Sequence, residues 1–396
     1  MPLRPMATGL AALMGSVLIS GCSGGPESQT PEAPPFVFRS LELRQKKANG
    51  QRDWDLTSPE ARYEFNRRLV KARRPEGILY RDNKPAFEIR AERATVMNDG
   101  ELVLLEGNVE LQQLQGQKVL IQGDRLRWTP PKSLLVMEQR PVALDGRSKI
   151  RALRARFDQI SEDLTMEGTV QLERWSTVKK QRSGAHADTV LRAHHTVWNL
   201  GNGALNARGP VLGQRRNDQH LVLQQLHAKQ LTGNTLQGFI DLIAPVKVLS
   251  PKRKGHLNAA TTRWNLKDDS LVTEKTFSGQ LDQAKLRGDG FRIDLTQNKV
   301  QVLSACDLQQ PGESLKAHQC SWNWNTNEVS AEGDVVLKRK ANEQITRSQR
   351  LEGSVGKKGT VVFSSPGGAV QSELKVKGTQ PGGSTATRRR SSPVSF

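Results

Sequence analysis

The chain has 396 residues and carries 59 Lys and Arg against 40 Asp and Glu, a formal net charge of +19 with a pI near 10.1. Only 36% of it is hydrophobic and 5% aromatic, so any core must be thin for the length. No internal run of about 18 apolar residues exists, which excludes a polytopic helical membrane protein. The 3 cysteines are too few for a disulfide framework, and no Cys/His set has zinc spacing. At roughly 150 residues per domain, two or three domains are expected.

Residues 1–21 read as an export signal: Arg4, an apolar stretch from Met6 to Ile19, and small residues before Cys22. The order Leu18-Ile19-Ser20-Gly21-Cys22 resembles the lipobox of bacterial lipoproteins, which implies cleavage before Cys22 and its acylation. The alternative is an ordinary secretory signal with an incidental cysteine. Residues 22–35, rich in Gly, Ser and Pro, suit a flexible tether. Gly21-Cys22-Ser23-Gly24-Gly25 matches a nucleophile elbow but lacks the strand before it and the helix after it.

The body starts with Val37, Leu41 and Leu43 in an opening strand, followed by Gly50, Trp54 and Leu56. Ser58-Pro59-Glu60 then predicts a helix start, and Ala61, Phe65 and Leu69 would share one face of a short helix ending before Pro75. From about residue 100, period-two alternation dominates. Leu105, Gly107, Val109 and Leu111 share one strand face, as do Leu164, Met166, Gly168, Val170 and Leu172. The pattern returns at Leu205, Ala207, Gly209 and Val211, and again at Val329, Ala331, Gly333, Val335 and Leu337. Glycine weakens a strand unless the chain bends or something approaches it closely, so Gly107, Gly168, Gly209 and Gly333 mark bulges or room for a ligand.

A small residue followed five positions later by a bulky one recurs from Gly123 to Trp128, Ala193 to Trp198, Ala259 to Trp264 and Ala317 to Trp322. With Gly288 to Ile293 and weaker starts at Ala91, Ala155 and Ala228, the series steps by 29 to 38 residues, a period of about 32 that marks a repeat architecture. The expected fold is all-β: an elongated, open pair of facing antiparallel sheets, each unit giving one strand to each sheet, with one short N-terminal helix. Residues 36–215 and 216–377 would be its first and second halves, either continuous or joined near 215. Residues 378–396, with Arg388-Arg389-Arg390, read as a disordered basic tail.

Little chemistry is advertised. His186, His194 and His195 lack further ligands at metal spacing, and Asp268-Asp269 and Glu162-Asp163 fall in turns, so no catalytic residue, metal or cofactor is expected. Cys306 and Cys320 are a candidate disulfide in an exported protein, with two free buried thiols as the alternative. Trp322 and Trp324 share a strand face with Cys320 and read as packing residues. The positive charge, compact at Lys252-Arg253-Lys254, suits phosphates, acidic sugars or an anionic bilayer; an export signal argues against nucleic acid.

With its membrane-anchored start, the Leu-x-Leu, Gly50, Trp54, Leu56 and Tyr63 opening and the repeated Gly-x-Val-x-Leu strands, the chain resembles the LptC and LptA (OstA-like) lipopolysaccharide-transport proteins over residues 36 to 375. It looks like a long, lipoprotein-type LptC. The resemblance implies an open β-jellyroll holding lipopolysaccharide acyl chains, with Val109, Leu111, Val170, Leu172, Val211, Val335 and Leu337 as groove candidates. It also implies an inner-membrane ABC transporter of the LptB/LptF/LptG type below, an LptA-like bridge protein above, and a periplasmic location with Cys22 anchored in the inner membrane. The competing expectation is an envelope lipoprotein scaffold that binds proteins or polyanionic polysaccharide.

Overall fold

The computed structural model describes residues 36–340, 343–354 and 359–375. The signal segment, Cys22, the tether and the tail from 378 lie outside them. Among the described residues 33 strands join through antiparallel ladders into one bonded array, and the one α-helix is Val178–Arg182.

The array is built of bent rungs. In the strand Leu102–Gln113, residues 102–106 pair with Arg93–Met97, while residues 110–113 pair with Lys84–Arg90. Between the halves lie Gly107 and Asn108, with φ of 77° and 44°. Two successive left-handed residues bulge and bend a strand, and glycine takes the first at no steric cost. Gly168-Thr169 and Gly333-Asp334 repeat the device, and the ladder slips at both, between Glu167 and Val170 and between Glu332 and Val335. At Gly209 the bend separates Ala204–Arg208 from Val211–Arg216. Alternation stays in phase through the bend, so Val103, Leu105, Val109 and Leu111 are all buried.

Each rung therefore crosses from one sheet to the other, and the next rung returns through a hairpin. The period of about 32 residues contains an outward and a return rung, so a unit gives two segments to each sheet rather than one. The reason is the bend, which lets a single strand serve both sheets.

The expected N-terminal helix is absent. Arg52–Ser58 and Glu60–Glu64 are strands either side of Pro59, followed by a single 3-10 turn, Phe65–Arg67. Glu60–Glu64 is laddered on one side to Phe36–Phe38 and on the other to Leu69–Arg73. The Ser58 hydroxyl donates to the carbonyls of Glu60 and Arg73, both at 2.7 Å, instead of capping a helix. A helix of so few residues does not recover its nucleation cost, whereas a strand flanked by two partners satisfies its backbone on both edges. Phe65, placed by the helical reading on an apolar face, is 66% exposed.

The ladder runs unbroken past residue 215, where Val211–Arg216 pairs with Val222–Ala228. Buried side chains form two clusters, one from Trp54 to Trp264 and one from Phe277 to Leu351, and half-buried Ala259 and Leu271 touch both. In the second cluster a disulfide joins Cys306 to Cys320, both buried, with Cα atoms 5.9 Å apart.

Two measurements check this account. Gly168→Ala, which forces an L-residue into the left-handed region and brings its Cβ to 2.8 Å from Leu153, should lower stability to denaturant by about 1–2 kcal/mol. Closing a loop of 14 residues, the disulfide should contribute about 3 kcal/mol, seen as a lower unfolding midpoint after reduction.

Candidate functional site

The interior is not filled uniformly. Between the sheets, where one apolar cluster gives way to the other, lies a cavity of about 490 Å³. Leu191, Leu226, Val248 and Leu257 line it from one sheet and Leu242, Trp264, Ile293 and Trp322 from the other. Two inward positions beside it carry glycine: Gly213 pairs with Leu191 and Leu226, and Gly279 pairs with Leu257 and Leu286. Leu226, Leu257, Leu271 and Ile293 stay half-buried. The volume lies in the ~300–1,000 Å³ range of sites that enclose an apolar ligand.

The bends close one side of this roll; on the other, two rows of hairpin turns face each other across a slit. Side chains from one row bond the turn carbonyls of the other. Arg81 donates to the carbonyl of Gln159 at 2.9 Å, and Gln113 to that of Leu200 at 3.1 Å. Arg147 and Arg174 both donate to Leu266, at 3.3 and 2.8 Å. Arg215 reaches Leu295 at 3.4 Å and Arg253 reaches Trp324 at 2.9 Å. The joined residues are 71 to 119 positions apart, so the two ends of one rung never meet each other. Strands of twisted sheets cross at an angle, and closure falls on a later rung, much as a barrel needs shear.

The groove candidates named from sequence do point inward. Val109, Leu111, Val170, Val211, Val335 and Leu337 are buried in packed stretches and Leu172 is half-buried, but none of them lines the cavity. Gly107, Gly168, Gly209 and Gly333 are corners. Trp322 and Trp324 both line the cavity, as do Lys252 and Arg253 from the basic cluster, on the turn Pro251–Arg253. Sequence reading passed over Arg147, Arg174, Gly213 and Gly279. An inward glycine within a strand was the available signal for the last two.

Fold and cavity together define a β-jellyroll with a partly hollow apolar interior beside a polar slit. Residues 7–171 match the family model described as lipopolysaccharide-assembly, LptC-related, so that stretch is similar to this family. The match covers the rungs before the cavity. No curated protein matches the chain. Among the described residues no helix is long and apolar enough to cross a membrane.

If the cavity is the ligand space, filling it should abolish binding without unfolding the sheets. Leu226→Trp should weaken uptake of anilinonaphthalene sulfonate, followed by its fluorescence, about tenfold, with an unchanged or raised melting temperature.

Proposed function

We propose that the protein is a periplasmic component of lipopolysaccharide export that holds acyl chains between its two sheets on the way out of the inner membrane. The observation that carries this is the apolar cavity of about 490 Å³ inside a jellyroll whose first rungs are LptC-related. Each methylene left in water costs about 0.8 kcal/mol, so a lipid crosses an aqueous space cheaply only inside such a lining. No bond is made or broken in this task, and the protein acts as a binding component rather than an enzyme.

In this reading Cys22 is acylated and fixes the chain to the inner membrane, with 22–35 as the tether. An ABC transporter of the LptB/LptF/LptG type supplies the driving force, and an LptA-like bridge receives the lipid. Strands at the two ends of the array offer unpaired edges to which jellyroll partners add. Residues 36–215 are the packed support and 216–377 hold most of the cavity.

The test is photocrosslinking in cells. A photoreactive residue at Leu226, which lines the cavity, should give an ATP-dependent lipopolysaccharide adduct; one at His227, exposed on the outer face, should give none. Absence of an adduct at Leu226 in folded, membrane-bound protein overturns transport and leaves the scaffold reading.

A further inference from the structure

The arginines that bridge the slit are not alike. Arg81 also pairs with Glu162, Arg215 with Asp269 at 3.5 Å and Arg253 with Asp282 at 2.8 Å. Arg147 and Arg174 have no such partner: among the described residues, every hydrogen bond their guanidiniums make ends on a carbonyl, Leu266 for both and Ser176 for Arg147 at 3.1 Å. Two half-buried cations thus converge on one neutral oxygen. Burial, and after it the charge of Arg147, lowers the pKa of Arg174, while Asp145 and Asp269 nearby act in the opposite sense without a direct ion pair to it. Asp145 accepts the backbone N–H of Arg147 and of Ser148 on one oxygen from within its own turn.

The pair also sits beside the cavity, one residue removed from its lining. The Arg174 guanidinium lies 6.0 Å from the centre of the Trp264 ring, and Trp264 lines the cavity. Arg215, a further lining residue, stands beside the same hairpin through Asp269. An apolar chamber with two guanidinium forks beside it, neither in a direct ion pair, suits an acyl or alkyl chain ending in an anion such as a phosphate. Guanidinium forks match phosphate oxygens in charge and geometry, which a carbonyl cannot do.

We propose that Arg147 and Arg174 form a phosphate seat at the slit, holding the headgroup phosphate of an amphiphile whose chain occupies the cavity. On binding, the phosphate replaces the Leu266 carbonyl as the acceptor of both side chains. The cross-slit bonds at this turn are released as the headgroup docks. The seat rests on the reading of the cavity as a lipid site, and its test separates the two.

The probes are dodecyl phosphate and dodecanol, each with a nitroxide at the chain end, read by quenching of the cavity tryptophans Trp264, Trp322 and Trp324 in the full chain. The wild type should bind the phosphate about tenfold more tightly than the alcohol, a ratio that falls to near one in Arg147→Gln/Arg174→Gln. Inorganic phosphate should compete with dodecyl phosphate but not with dodecanol; if it binds tightly without a chain, the site is one for free phosphate and the proposal fails. Arg147→Lys/Arg174→Lys, which keeps charge without the forks, should give an intermediate ratio and serves if the Gln pair does not fold. An unchanged ratio in both variants overturns the seat while leaving the cavity standing. Loss of quenching by both probes in the wild type overturns the lipid reading of the cavity itself.

Discussion

The bend in each rung is the constraint on which the rest of the architecture depends. Gly107-Asn108, Gly168-Thr169 and Gly333-Asp334 put consecutive residues at positive φ, and the strand turns from one sheet into the other without leaving the ladder. A straight strand of the same length would build one flat sheet with both faces wet. Bent, it builds two facing sheets with a shared interior from side chains of one phase. A single alternating face is then enough to form a core, which is how a chain only 36% hydrophobic encloses an apolar interior.

Closure on the slit side is of a different kind. The bends are covalent, whereas the slit is held by side chains donating to turn carbonyls, several of them charged donors. Each such bond is worth a kilocalorie or so net of hydration, far less than a strand ladder. Opening along the slit is therefore the soft direction of the molecule, and it is the direction in which the apolar cavity faces polar groups.

The uneven interior follows from small changes at inward positions. In the rungs before the cavity, Trp54 stacks edge-on to Trp128 and Phe87 to Phe157, filling the space between the sheets. Further on, the side chains of the two sheets leave a cavity, with Gly213 and Gly279 at inward positions beside it and Leu191 and Leu226 leaning over Gly213. Packed and hollow stretches thus share one ladder pattern along one roll.

Much of the fold was legible in the sequence, because strand alternation and corner glycines are local signals: the all-β class, the facing sheets, the inward phase of Val109 and Val335 and the special role of Gly168 all follow from them. The helix at Ser58-Pro59-Glu60 was misread because the cap signal is local, while the partners that made Glu60–Glu64 a strand lie on either side of it in the sheet. The site was far less legible. Leu266 meets Arg147 and Arg174 across 119 and 92 residues, at an offset set by sheet twist, which no periodicity encodes. The sequence by itself determined which residues face inward and where the chain bends, since these depend on neighbours one or two positions away. Tertiary structure alone decided where the interior stays empty and which cations gather beside it, because those depend on how two sheets, each twisted, come to face each other.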